Sequence, residues 1–201
     1  MIRNIIFDLG NVLISFRPEE YLLKNNYPEA KRKIIHSDIF GSIVWLLLDN
    51  GEISTGKAID RIAGKSSLRR EEIALIFNKR TEIMSPIAEN VKLLPGLKKG
   101  GYRLYYLSNF PVDIFDEVKK SYSFFKYFDG GIISGAVHYS KPDPEIFNAL
   151  LHKYGLLAKE CFFIDDIEKN VIVAESMGMK GFCTSGSTNI SDEFLKSLKG
   201  H

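Results

Sequence analysis

Four polar groups in this chain each stand at or just beyond the end of a short apolar run, and together they suit chemistry on an anionic substrate. Asp8 follows Ile5, Ile6 and Phe7, with Gly10 two places further on. Ser108 and Asn109 close the run YRLYYL. Lys141 lies in SKPDPEIF, a little past Gly131 to Ser134. Asp165 and Asp166 close FFI. A carboxylate can act as a nucleophile. A hydroxyl at a helix start can seat a phosphate. A lysine adds positive charge, and adjacent carboxylates offer the oxygen ligands that Mg²⁺ takes.

Each group also has a plain structural reading. Asp8 in Asp-x-Gly can simply cap a turn. Ser108 and Asn109 suit a helix N-cap, with Pro111 in the first turn. Lys141 can be a solvated lysine before a rigid turn, although Pro142 and Pro144 constrain the backbone around Asp143 as support for an aimed charge would require. Asp165 and Asp166 are harder to explain this way. Two adjacent carboxylates after an apolar strand are costly unless exposed, hydrogen-bonded or metal-bound, and a helix needs only one of them as its cap.

The elements that must position these groups alternate. Strands are expected up to Asp8 and over Tyr102 to Leu107, Gly131 to Ser134, Cys161 to Ile164 and Lys180 to Cys183. Helices are expected over Asp113 to Tyr122, Pro144 to Tyr154 and Glu168 to Met177, with Val91 to Lys99 a helix interrupted at Pro95-Gly96. Short apolar strands alternating with helices predict an α/β fold: a Rossmann-like parallel sheet covered on both faces. Residues 15 to 87 read as helical throughout, with helix starts at Pro18, Pro28, Asp38, Ser54 and Ser67. They form an α-helical insertion into a core of residues 1–14 plus 88–201. In such sheets ligands bind beyond the carboxyl ends of the strands, where all four groups lie.

The chain has 201 residues, 45% hydrophobic and 26% charged, with a net charge of +2. That suits one globular domain with a large insertion. It argues against a nucleic-acid partner, since no basic face or long like-charge run is present. The longest apolar run, Ile43 to Leu48, is far short of the roughly 20 residues a membrane span needs. Cys161 and Cys183 read as buried thiols of a reducing compartment. With no signal-peptide pattern at Met1, a cytoplasmic monomer or dimer is expected.

Taken in order, FDLGNVL, YLSN, SKPDPEIF and FFIDDIEKN resemble the motifs of the haloacid dehalogenase-like hydrolase superfamily, across nearly the whole chain. The resemblance implies a phosphatase-like Rossmannoid core and makes the helical insertion a type-1 cap. GNVL and DDIEKN are most similar to the branch holding bacterial sugar-1-phosphate phosphatases and the phosphatase domain of soluble epoxide hydrolase. It implies a Mg²⁺ held by Asp8, Asp166 and the Gly10 backbone carbonyl. Asp8 would attack phosphorus to form an aspartyl-phosphate, which water hydrolyses. Lys141, Ser108 and the Asn109 amide would hold phosphoryl oxygens, with Asp165 as a supporting group or alternate ligand. The substrate expected is a small phosphorylated metabolite, such as a sugar phosphate.

Two positions depart from the family pattern. Gly10 stands where these phosphatases usually carry a second aspartate as general acid and base. It can offer a carbonyl but cannot move a proton, a contribution typically worth about 10²–10⁴-fold. Asn170 stands where many relatives have another aspartate, and could bond the metal's waters or Lys141. Two rival readings remain: a metal-independent 2-haloacid dehalogenase, and a non-catalytic member that binds phosphate or a protein. Trp45, Asp49 and Glu52 stand near a Gly51 turn that could face the active site, but surface loop and core packing is the favoured reading and they are left out of the site. His36, His138 and His152 show no metal spacing and take no role.

Overall fold

The computed structural model describes residues 1–184 together with Ile190, Lys196 and Leu198. The chain opens with β1 (Asn4–Phe7) and β2 (Ile14–Phe16). Five helices follow: α1 (Pro18–Lys24), α2 (Glu29–Ile35), α3 (Ile43–Asp49), α4 (Thr55–Ala63) and α5 (Arg70–Asn78). Next come β3 (Met84–Pro86), α6 (Ala88–Val91), α7 (Leu93–Lys99) and β4 (Arg103–Ser108). The alternation continues through α8 (Val112–Ser121), β5 (Gly130–Ile133), α9 (Ser134–Val137) and α10 (Pro144–Tyr154). It ends with β6 (Cys161–Asp165), α11 (Glu168–Ser176) and β7 (Lys180–Cys183).

Five strands form one parallel sheet in the order β5-β4-β1-β6-β7. This is the Rossmann-like α/β architecture expected. β1 is central: the chain leaves it for β4 on one side and later returns to β6 on the other. The crevice at such a switch point is where ligands bind. Both faces are covered, so β1 is apolar from Ile5 to Phe7, and successive residues feed two cores. Ile5 and Phe7 join a core that runs on into the inserted helices through Leu22, Ile59 and Phe77. Ile6 packs with Leu107, Phe147 and Phe163 on the opposite face.

Residues 15 to 87 are not helical throughout. β2 and β3 pair antiparallel, Ile14 with Pro86 and Phe16 with Met84, bringing together the two ends of the helical segment. The Ser15 and Ser85 hydroxyls add a 2.8 Å hydrogen bond across the ribbon. Three residues per strand, one of them proline, leave no alternation to read, and the partners are about 70 positions apart in the sequence. Three helix details also differ. Ser42, not Asp38, caps α3, its hydroxyl accepting from the Trp45 N–H; Asp38 lies in a π-helical turn over His36–Phe40. Arg69 with Glu72, not Ser67, opens α5. Pro95 does not interrupt α7, because it lies in the first turn, where its missing N–H has no intrahelical acceptor. Pro18 and Ser54 open α1 and α4 as expected.

The helical segment rests on the core. The largely buried Arg80 side chain reaches Asp113 of α8 at 2.9 Å and Glu117 at 3.5 Å. Thr55 of α4 donates to the same Asp113 carboxylate at 2.6 Å. No described helix is long and apolar enough to cross a membrane.

Candidate active site

The four groups singled out from the sequence converge. Asp8 leaves the end of the central strand with its backbone N–H bonded to the Ile164 carbonyl of β6 at 2.8 Å. Its carboxylate is nearly buried, and three donors meet on Oδ1: the Leu9 N–H at 2.7 Å, the Ser108 hydroxyl at 2.6 Å and the Lys141 ammonium at 2.9 Å. This convergence fixes the plane of the carboxylate. Oδ2 is turned toward Gly10, where an added Cβ would stand 4.0 Å away.

Lys141 sits between two carboxylates, its Nζ also 2.6 Å from Asp165 Oδ2. The backbone holds it there from both sides. The Asn109 carboxamide donates to the Lys141 carbonyl at 3.0 Å and accepts from its N–H at 2.8 Å. Downstream, Asp143 caps α10 by accepting from the Glu145 N–H at 2.9 Å. Asn109 was expected at the phosphate. Its carboxamide is instead spent on the Lys141 backbone, so any phosphate contact from Asn109 falls to its main chain.

Asp165 is fully buried and accepts from Lys141, from the Ile167 N–H at 2.8 Å and from the Asn170 carboxamide at 3.0 and 3.1 Å. Asn170 therefore serves Asp165 rather than Lys141. Asp166 turns the other way, half-buried, and accepts from the Asn11 carboxamide at 3.2 Å. The sequence reading missed Asn11, whose clue lay inside GNVL. It adopts a left-handed backbone with φ of 51°, which Asn tolerates better than most residues, and this conformation aims its side chain at Asp166.

The electrostatics follow from crowding. Asp8, Asp165 and Asp166 bring oxygens within 4.8 Å of one another, with one lysine among them. Burial is the main influence on Asp8 and the neighbouring Asp165 charge adds to it; Lys141 and Ser108 oppose them, and the carboxyl ends at about 6. Burial also raises Asp166, against the Asn11 hydrogen bond. Burial disfavours the Lys141 charge too, but Asp8 and Asp165 outweigh it and hold the ammonium above its usual range. Three carboxylates against one ammonium suit a divalent cation. The oxygen donors Asp8 and Asp166, with Gly10 beside them in the cavity lining, match the chemistry of Mg²⁺.

These groups floor a cavity of about 270 Å³. Its other walls are mainly apolar: Ile14 and Phe16 of β2, Met84 of β3, Trp45 of α3, and Phe110 and Ile114. Asp49 stands with Trp45 in that wall. Both were read as loop or core packing from the sequence; the structure turns them into the cavity. Glu52 remains outside the lining and accepts from the Asn50 carboxamide at 3.0 Å. His138 contacts the Asn50 carbonyl at 3.3 Å, an interaction the sequence did not suggest.

A parallel sheet with a carboxylate at the tip of its central strand, a lysine and a carboxylate pair beside it, and helices folded over the crevice define a class of hydrolase. A model of the haloacid dehalogenase-like hydrolases matches residues 2–178, and the chain belongs to that family. The resemblance carried by the four motifs is thus borne out. Among its relatives, a sesquiterpene phosphatase of Aspergillus oryzae is 29% identical over 97% of this chain and 95% of that protein. D-ribitol-5-phosphate phosphatase of Bacteroides thetaiotaomicron is 23% identical over 90% of this chain and 91% of its own length. A HAD family enzyme from the same bacterium, solved in complex with magnesium and inorganic phosphate, superposes with a TM-score of 0.76 at 27% identity, over 96% of this chain and 100% of that one.

Proposed function

We propose that this chain is a Mg²⁺-dependent phosphatase that hydrolyses a small phosphate monoester through an aspartyl-phosphate on Asp8. The observation that carries this reading is the convergence of Leu9, Ser108 and Lys141 on Asp8 Oδ1 at the cavity floor, beside Asp166. A carboxylate fixed in rotation and open to a cavity is placed to attack. Phosphorus accepts the carboxylate oxygen as the bond to the leaving oxygen breaks; water then cleaves the acyl phosphate and restores Asp8. Lys141 lowers the repulsion between nucleophile and dianion, and the Ser108 hydroxyl keeps Asp8 in line. Asp165 keeps Lys141 charged and in place, and Asn170 holds Asp165. Asp8, Asp166 and the Gly10 carbonyl would hold the Mg²⁺, with Asn11 orienting Asp166; when bound, the ion neutralises charge at the phosphoryl group. We assign residues 15–87 the role of a cap, with the β2–β3 ribbon as its hinge.

The cavity walls bear on the substrate. Motif resemblance favours a sugar phosphate, whereas Phe16, Trp45, Met84, Phe110 and Ile114 offer little to hydroxyl groups. They favour a monoester whose alcohol has a hydrocarbon face. The relatives named above act, by their names, on a sesquiterpene and on a polyol phosphate. The carboxylate pair speaks against a metal-free dehalogenase, which has no use for Asp166.

The test is a panel of phosphate monoesters, terpenoid and sugar phosphates included, assayed with Mg²⁺ and with EDTA. Chelator-sensitive release of phosphate that Asp8→Asn abolishes is the expected result. The reading fails if no monoester turns over, or if Asp8→Asn keeps full activity. Halide release from 2-haloacids without metal would support the dehalogenase instead.

A further inference from the structure

A phosphatase of this kind needs a proton for its leaving oxygen, and Gly10 cannot supply one. The polar groups at the cavity floor are otherwise engaged. Asp8 is the proposed nucleophile, Asp166 faces Asn11 and the proposed ion, Lys141 is shared by two carboxylates, and the asparagines are amides without a transferable proton. Among the described residues lining the cavity, one titratable side chain comes from outside the sheet ends: Asp49, at the end of α3.

Asp49 is held against the core by its own backbone. The buried Ser134 hydroxyl, at the end of β5, donates to the Asp49 carbonyl and accepts from the Phe110 N–H at 2.8 Å. Next to it, Gly51 has φ of 70°, and a Cβ there would approach the Gly135 carbonyl to 2.6 Å, so two backbones touch at that point. Ser140, next to Lys141, donates to the Asn50 side-chain oxygen. The loop that carries Lys141 and the turn that carries Asp49 are therefore in direct contact. The Asp49 carboxyl itself has no ion-pair partner among the described residues.

We propose that Asp49 is the general acid and base of this active site, delivered from the inserted helices in place of the aspartate missing at Gly10. This rests on the phosphatase reading above. In the first step Asp8 bonds to phosphorus and the bond to the leaving oxygen breaks; that oxygen takes the proton from the Asp49 carboxyl. In the second, the resulting Asp49 carboxylate takes a proton from water as the water oxygen bonds to phosphorus and the Asp8–phosphorus bond breaks. Asp8 is restored and Asp49 is again protonated. Burial supports the starting state: it pushes the Asp49 carboxyl up to about 8, against a weaker opposing hydrogen bond from Trp45. The acid is thus protonated at neutral pH, as a donor must be.

The experiment compares wild type, Asp49→Asn and Asp49→Asn/Gly10→Asp on an alkyl phosphate and on p-nitrophenyl phosphate, whose leaving group needs no proton. Asp49→Asn should lower kcat/KM about 10²–10⁴-fold on the alkyl phosphate and less than about tenfold on the aryl one. With the aryl phosphate it should release one equivalent of nitrophenolate in a burst, then turn over slowly, because the second step lacks its base. Gly10→Asp should restore at least tenfold on the alkyl phosphate, since a Cβ at Gly10 meets nothing closer than 4.0 Å. Unchanged affinity for inorganic phosphate shows that the Asp49→Asn site is intact. Equal loss on both substrates with that affinity retained, or no loss on the alkyl phosphate, overturns the assignment while the phosphatase reading stands. A wild type inert on every monoester removes the phosphatase reading, and this assignment with it.

Discussion

Replacing Lys141 by methionine tests the electrostatic core of the site without reference to turnover. Lys141 is nearly buried, within 2.9 Å of Asp8 and 2.6 Å of Asp165, both buried themselves. Methionine keeps much of the volume and removes the charge. Breaking a buried pair by deleting one partner typically costs about 3–5 kcal/mol, because the other partner is left uncompensated. Here two carboxylates are left, so the upper end of that range applies where both are ionised. The pH dependence has a definite sign. Asp8 already titrates at about 6 with Lys141 present, above its ordinary 3.8. Without the lysine it must rise further. A group whose folded pKa is raised contributes stability below its unfolded pKa and loses it as pH climbs through the folded value. The variant's deficit should therefore grow between pH 5 and pH 8, from about 1–2 kcal/mol to about 4–5 kcal/mol. Urea unfolding in EDTA, which prevents a divalent ion from replacing the ammonium, reads both values. Equal stability of wild type and variant at pH 8, or a larger deficit at pH 5, would refute the account of Lys141 as the counter-ion of two buried carboxylates.

Other perturbations probe separate links. Asn11→Gly keeps the left-handed backbone but removes the donor to Asp166, so Mg²⁺ affinity by calorimetry should fall about 10–100-fold; unchanged affinity denies Asn11 its orienting role. Asn109→Ala deletes both hydrogen bonds to the Lys141 backbone and should cost about 2–3 kcal/mol in urea unfolding, with a loss below about 0.5 kcal/mol counting against it. Asp49, facing Asp8, Lys141 and Asp166 across the cavity, carries a carboxyl raised to about 8, so its contribution falls away as pH rises from about 4 to 8. In EDTA the wild-type melting temperature should fall over that range by some 4–8 °C more than that of Asp49→Asn, for a contribution of about 2 kcal/mol; parallel curves would mean that Asp49 ionises normally.

How much was legible beforehand depended on sequence distance. Asp8, Ser108 and Asp165 each follow a buried apolar strand, and a parallel sheet brings such ends to one edge, so their meeting could be read from alternation alone. The motif order then gave the family. The ribbon of β2 and β3 could not be read, because three-residue strands carry no periodic signal and pair across the whole insertion. The side-chain partners of Asn109 could not be read for a related reason. Next to a serine at a strand end its type suits a phosphate, and only the return of the chain at Lys141 gives its carboxamide two other partners. Asp49 carries no comparable signal, since one acidic residue before an Asn-Gly turn is indistinguishable from a surface loop.

What the sequence determined by itself is the sheet, the order of its helices and the set of groups at its carboxyl edge. Those follow from local apolar runs and from the types of residue that end them. What tertiary structure decided is which atoms are free to react. Ser134, Gly51 and Gly135 help fasten the turn after α3 to the core, and the Asp49 carboxyl lines the same cavity as Asp8. The physical reason is that burial and partnership are properties of the packed molecule. Asp165 and Asp166 are adjacent in the chain, yet one is buried against Lys141 and the other opens to the cavity.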